Sequence, residues 1–248
     1  MWQKNVRYLD YNASAGITPG VREKLTALLG NEELLVANPS SRHRPGQKVQ
    51  HLIHEASRKV AQTLGPDVRS DELIWVASGT EANQSVIRSL SRSSPTLIIG
   101  AGEHSASHDL IPELRQSLVV ELPMLREGTY DLVRLEELLR ESRERGESEV
   151  GVSLFWANNE TGVVLDTRRL KDLISRSGVR VRLHLDGAQV WGKMPLNVPD
   201  GPADYVTFSA HKIGAPAGTG LIWKRSNAPW CPLLPGAQNR GQRAGTEN

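Results

Sequence analysis

The stretch DYVTFSAHKIGAPAGTGLIWKR (204–225) holds two apolar, strand-like runs, DYVTFSA (204–210) and TGLIWKR (219–225), separated by a glycine-rich loop that carries one lysine, Lys212. A strand fixes the base of a side chain at its end, and glycines let backbone approach a bound group closely. A lysine at that junction is either a solvated surface residue or a nucleophile held at the edge of a pocket. Residues further out in the sequence decide between the two.

Upstream, ELIWVAS (72–78), PTLIIGAG (95–102), EVGVSLFWAN (149–158) and VRVRLHLDG (179–187) read as further strands. Helical patterns lie between them at TEANQSVIRSLSR (80–92), LVRLEELLRESRER (132–145) and DTRRLKDLISRSG (166–178), the last with Asp166 as N-cap and Gly178 as stop. Strands alternating with helices predict an α/β fold, a mostly parallel sheet flanked by helices. The sequence shows no internal repeat and no long linker. The charge-dense RESRERGESE (140–149) reads as a solvated helix end and turn, and HLIHE (51–55) as a helix surface, since it lacks the zinc-protease spacing.

Composition narrows the function classes. With 248 residues, 38% hydrophobic and 23% charged with both signs interspersed, the chain is long enough to bury a large core. A net charge of +2 gives no footprint for nucleic acid, and no apolar run approaches a membrane span or a signal peptide. One cysteine, Cys231, excludes an intrachain disulfide and points to a reducing compartment, so a cytoplasmic protein is expected.

Polar residues fall at the strand ends. Ser78-Gly79-Thr80, Glu103-His104, Asn158-Asn159, Asp186 with Gln189, and Ser209-His211-Lys212 each follow a strand, where open α/β sheets bind ligands. Singly, each has an ordinary reading as turn, cap or satisfied histidine; together they converge on one sheet edge. A lysine amine forms Schiff bases with carbonyl compounds, and a pyridoxal phosphate held this way needs an acidic partner for its ring nitrogen, a role Asp186 fits. SGTEAN (78–83) supplies a glycine turn, a hydroxyl and a helix start for a phosphate, and His104 offers a plane over the ring.

The motifs YLDYNASAG (8–16), NPSSRHRPGQ (38–47), ASGTEAN (77–83), GEHSA (102–106), NNETG (158–162), HLDGAQ (184–189), SAHKIGAPAGTG (209–220) and GQRAGTEN (241–248) resemble, in order, those of the NifS- and IscS-type cysteine desulfurases. These form part of the class V branch of fold-type I pyridoxal-phosphate enzymes. The resemblance implies a large domain of that fold over residues 16–248, preceded by an N-terminal segment, 1–15, with the small C-terminal domain absent. It makes Lys212 the Schiff-base lysine, Asp186 the ring-nitrogen partner and His104 a stacking and acid–base residue. Gly79, Thr80, Ser209 and His211 would hold the phosphate, Gln189 and Asn159 the phenolate oxygen. Thr246 matches a threonine that reaches the neighbouring subunit's phosphate, which implies a homodimer.

The activity so implied takes L-cysteine to L-alanine and passes sulfur, through a persulfide on a catalytic cysteine, to an acceptor or scaffold protein in iron–sulfur cluster or thio-cofactor assembly. In the family that cysteine lies beyond the GQRAGTEN segment, as does the arginine that holds the substrate carboxylate. Cys231 precedes the segment and reads as a structural, partly buried thiol. Arg42, Arg44 and Arg243 are the candidates for a carboxylate clamp. Three other readings stay open: another class V enzyme such as an aminotransferase or selenocysteine lyase, a non-catalytic pyridoxal-phosphate-binding dimerisation module, and a metal held by His104 and His108, four residues apart.

Overall fold

The parallel runs assemble into one sheet because long crossovers return the chain to the start of the next strand, three of them built around helices of ten or more residues: 79–93, 132–144 and 167–176. A computed structural model describes residues 7–247. Its strands are β1 (Leu73–Val76), β2 (Thr96–Gly100), β3 (Leu118–Leu122), β4 (Glu149–Phe155), β5 (Arg180–Asp186), β6 (Tyr205–Ser209) and β7 (Gly220–Lys224), and its helices α1 (Pro19–Leu29), α2 (Glu32–Leu35), α3 (Arg44–Leu64), α4 (Gly79–Ser93), α5 (Ser105–His108), α6 (Leu132–Glu144) and α7 (Thr167–Arg176). The strand order is β1-β7-β6-β5-β4-β2-β3. All neighbouring pairs are parallel except those of β7, which runs antiparallel to both β1 and β6.

Alternation along the strands sorts side chains to two cores. Val152, Leu154, Leu183, Leu185, Val206 and Phe208 face α3, α6 and α7, where Leu64, Leu135, Leu139 and Leu170 meet them. The opposite face receives Ile74, Leu97, Ile99, Tyr205 and Ile222 against Ala82, Val86, Ile87 and Leu90 of α4. Fully buried aliphatic side chains at these positions contribute about 1.5–3 kcal/mol each relative to exposure. Helix α4 is therefore pinned along its length, which fixes where its N-terminus points.

The expected helices form with their caps as read. Asp166 accepts from the N–H groups of Arg168 and Arg169, and Gly178 takes a positive φ of 69° just past α7. His51 and His54 lie exposed on α3, in keeping with a helix surface. Two expectations need correction. EVGVSLFWAN yields a strand only to Phe155, after which Ala157 bridges Val164 in a separate hairpin-like contact. The charge-dense 140–149 stretch is not simply solvated. Glu149 pairs with Arg182 at 2.8 Å, and Arg182 also meets Asp204 at 3.0 Å with only 6% of its side chain exposed. These charges lock β4, β5 and the approach to β6 at the end of the sheet away from the strand-end polar groups.

Candidate active site

At the carboxyl ends of the parallel strands lies a cleft of about 560 Å³. Its lining includes Gly79, Thr80, His104, Asn159, Asp186, Gln189, Ser209, His211 and Lys212, together with Asp10, Asn12 and Asn83. The strand-end residues picked out in the sequence thus meet in one place, apart from Glu103, which lies behind the cleft.

One end of the cleft is built from the N-terminus of α4 and the turn after β6. Ser78 caps α4 by accepting from Glu81 N–H at 3.0 Å, and Ala82 N–H donates to its carbonyl, leaving the Gly79 and Thr80 N–H groups without helical acceptors. Gly79 permits this helix end to rest on β6: a Cβ there would stand 3.0 Å from Ser209 Cβ and 3.3 Å from Ser209 Oγ. N–H groups and hydroxyls converging at a helix N-terminus make an anion site of the kind that takes a phosphate. Gly79→Val is expected to lift the helix from Ser209, lower stability by roughly 1–3 kcal/mol and, if this end takes the phosphate of pyridoxal phosphate as the resemblance implies, weaken that binding. Urea denaturation and a cofactor titration check both effects.

Asp186, the last residue of β5, is partly exposed at the cleft rather than fully buried. Its Oδ2 accepts from Asn83 Nδ2 at 2.6 Å and its Oδ1 from Ala188 N–H at 2.9 Å, so the carboxylate is held on both sides. Lys212 stands in the 3₁₀ turn Ala210–Ile213, closed by Gly214 at a φ of 88°. Its Nζ donates to the backbone carbonyl of Asn12 at 2.6 Å. Burial pulls the Lys212 ammonium below the ordinary lysine range, against the opposing pull of Asp186 and Asp10. An amine deprotonated more readily than a free lysine is a better nucleophile.

Asn12 ties the N-terminal segment across the cleft mouth. Besides Lys212, its carbonyl accepts from Gln189 Nε2 at 2.9 Å, its Oδ1 from Lys193 Nζ at 3.3 Å, and its Nδ2 donates to Asn159 O at 3.2 Å. Behind the cleft, Glu103 is buried, and burial together with nearby Asp186 holds its carboxyl well above the usual carboxylate range. Tyr130 donates to its Oε1 at 2.5 Å.

Not every residue named from the sequence lines the cleft. Thr246 lines an adjoining cavity with Trp75 and Arg243, which shares only Gly218 and Thr219 with the cleft. Arg243 is held by Glu81 at 2.7 Å, and neither it nor Arg42 nor Arg44 lines the cleft. His104 is the N-cap of the short α5, its Nδ1 accepting from Ala106 N–H at 3.1 Å, while His108 Nε2 lies 3.2 Å from Ala101 O. The two rings are not a pair on one helical face, and among the described residues no group of three or more His, Cys, Asp or Glu side chains could hold a metal ion. Asn248, in the last motif, and Met1–Val6, in the N-terminal segment, lie outside the described residues. Cys231 is partly buried against Arg92 at the far end of α4, about 20 Å from the helix end that lines the cleft at 1.5 Å per residue.

Asn83, Thr207, His184, Asn12 and Lys193 were not assigned roles from the sequence. Asn83 carried a readable signal. It occupies the apolar phase of α4 alongside Ala82, Val86 and Leu90, where a buried polar side chain demands a partner.

The family profile described as Aminotransferase class-V matches residues 7–243. The chain belongs to that family. It is 33% identical over 248 residues to a cysteine desulfurase of Cereibacter sphaeroides, a match covering 97% of this chain and 61% of that relative. The cysteine desulfurase NifS of Azotobacter vinelandii is 30% identical, with 97% and 58% covered. Among solved structures, a NifS-like protein superposes with a TM-score of 0.88 at 28% identity, over 97% of this chain and 65% of that one. SspA in complex with cysteine superposes with a TM-score of 0.85 at 25% identity, over 98% and 69%. The fold is thus that of the NifS-like, fold-type I enzymes of a pyridoxal-phosphate-dependent family, and the chain spans about 60% of the length of the curated relatives it matches.

Proposed function

We propose that this chain forms the cofactor-binding large domain of a pyridoxal-phosphate-dependent cysteine desulfurase. The observation that carries the reading is the meeting, in one cleft, of a partly buried lysine, a doubly held aspartate and a helix N-terminus backed by Ser209. These fit the cofactor's three demands. Lys212 would hold the aldehyde carbon, Asp186 the ring nitrogen, and Gly79, Thr80, Ser209 and His211 the phosphate. His104 would cover the ring, and Gln189 and Asn159 would face the phenolate oxygen.

Pyridoxal phosphate, when bound, supplies an electron sink for bonds to the substrate's α-carbon and β-carbon. The protein's part is to aim the amine and exclude water. The strap at Asn12 orients the Lys212 amine through its carbonyl, and His104, with Nδ1 engaged as an acceptor, carries its neutral-ring proton on Nε2. L-cysteine is the proposed substrate, with alanine and a persulfide as products and a scaffold or carrier protein as sulfur acceptor. A reducing, cytoplasmic setting suits a chain with one unpaired cysteine. A homodimer, with Thr246 reaching the partner's phosphate, belongs to the same proposal.

A second reading has an observation of its own. Cys231, the one cysteine of the sequence, stands far from the cleft, and no candidate arginine lines it. These favour a chain that captures the cofactor without completing desulfuration unaided. Both readings predict a visible absorption band after incubation with pyridoxal phosphate and removal of the excess. Alanine formed from L-cysteine in step with added thiol supports the desulfurase; a band with no alanine supports the binding module; no band refutes both.

A further inference from the structure

Behind Asp186 the hydrogen bonds run on without a break. Asn83 Nδ2 donates to Asp186 at 2.6 Å, and Thr207 Oγ1 lies 2.5 Å from Asn83 Oδ1. His184 Nε2 is 2.9 Å from Thr207 Oγ1, and Ser153 Oγ is 2.9 Å from His184 Nδ1. Sheet register creates this line: Ser153 stands opposite His184 across β4 and β5, and Asp186 opposite Thr207 across β5 and β6. Asn83 closes it from α4.

Chemistry gives every bond a single direction. An amide oxygen cannot donate, so Thr207 spends its only hydroxyl hydrogen on Asn83 Oδ1. The Thr207 oxygen must then accept from His184, which places the imidazole proton on Nε2. Nδ1 is left bare and accepts from the Ser153 hydroxyl. Burial holds the imidazole neutral, its pKa pushed down to about 3, so this tautomer persists across the ordinary pH range. All four bonds donate toward Asp186, and bonds aligned in this way polarise one another, by roughly 10–30% each.

The burial is as informative as the direction. Ser153 and His184 are 0% exposed, Thr207 1% and Asn83 4%, so water does not compete with any link. A site that needed only packing would be filled more simply by apolar side chains, because each buried polar group left unpaired costs about 1–3 kcal/mol.

We propose that Ser153, His184, Thr207 and Asn83 form a positioning relay for Asp186, a one-way line of donors that orients its carboxylate and sets how firmly it holds the ring nitrogen of bound pyridoxal phosphate. This rests on the reading of Asp186 as that nitrogen's partner. The other titratable groups acting on this region include Glu103 and Tyr130, behind the cleft, Lys212, after β6, and Asp10, facing Lys212; the variants below leave all four in place.

The test is the pH titration of the visible band in the cofactor-loaded chain. Thr207→Val keeps the shape and cuts the relay at its middle, and is expected to displace the midpoint by about half a pH unit or more. Thr207→Ser is expected to restore it. Ser153→Ala, at the far end, moves the midpoint in the same direction and carries the test if the valine variant does not fold. A midpoint unmoved while the band remains overturns the proposal, since a purely structural network would weaken the fold and leave the titration alone. In parallel, ¹⁵N NMR of His184 in the cofactor-free chain reads the tautomer. A proton on Nε2 is expected; a proton on Nδ1 breaks the relay whatever the cofactor does. If the Nε2 form is present but the wild-type chain gives no band, the reading of Asp186 has failed, and the proposal falls for that reason and not through the relay.

Discussion

Lys212→Ala is expected to abolish the visible band that appears on incubation with pyridoxal phosphate, while the far-UV circular dichroism stays that of the wild type. The amine is the one group of the cleft suited to capturing an aldehyde: it is partly buried, depressed in pKa by that burial, and aimed by the Asn12 carbonyl. Lys193, the other lysine nearby, is committed to Gln189 Oε1 and Asn12 Oδ1 and should not substitute. The fold should survive, because the lost interaction is one hydrogen bond at a partly exposed position, on the order of 1 kcal/mol. Lys212→Arg keeps a positive charge and is expected to give no band either, which separates nucleophilicity from charge. A persisting band in both variants would remove Lys212 from its assigned role.

Acid should destabilise the chain steeply through His184. In the unfolded chain this imidazole takes up a proton near 6.5; in the fold, burial postpones that to about 3. Across that window the unfolded state binds more protons, so stability falls as pH falls, by about 1.4 kcal/mol per unit and by roughly 4–5 kcal/mol over the whole window. That is a large part of the 5–15 kcal/mol or so that holds a typical domain together. Glu103 works with the opposite sign, because its raised carboxyl binds a proton more readily folded than unfolded. The comparison must therefore be between wild type and His184→Gln, in urea melts at neutral pH and at mildly acidic pH. The variant should be the weaker protein at neutral pH, where its relay is broken, and should lose less on acidification. Parallel slopes in the two proteins would show that His184 is not the acid-sensitive group.

Sequence alone made the sheet and the cleft legible for a definite reason. Chemistry-bearing residues sit at strand ends, and strand ends announce themselves by an apolar run breaking into glycine, asparagine or a charge. The run Leu118–Leu122 was passed over because β3 is an edge strand, partly exposed, with glutamate at its fourth position. The antiparallel direction of β7 has no signature in TGLIWKR, since an apolar run buried on both faces reads alike in either direction. Contacts across the sheet were harder still. Asn83 and Asp186 are separated by 103 residues, and Asn12 and Lys212 by 200, so only strand order brings them together. Thr246 shows the converse: a matching motif gave it an expected role at a neighbouring subunit's site, and within this chain it lines a cavity beside the cleft.

The strap from Asn12 to Lys212 has a consequence for how the protein is made. The two residues leave the ribosome 200 positions apart, and the last strand against which the lysine turn is braced, β7, emerges later still. A domain synthesised at about 5–20 residues per second exposes its first-made segment for some ten seconds or more before its docking site exists. On the proposed reading, cofactor capture would be a late event in biogenesis, coupled to the closing of a 200-residue loop, and a nascent chain interrupted before residue 212 would have the helix proposed to take the phosphate but nothing to anchor the aldehyde.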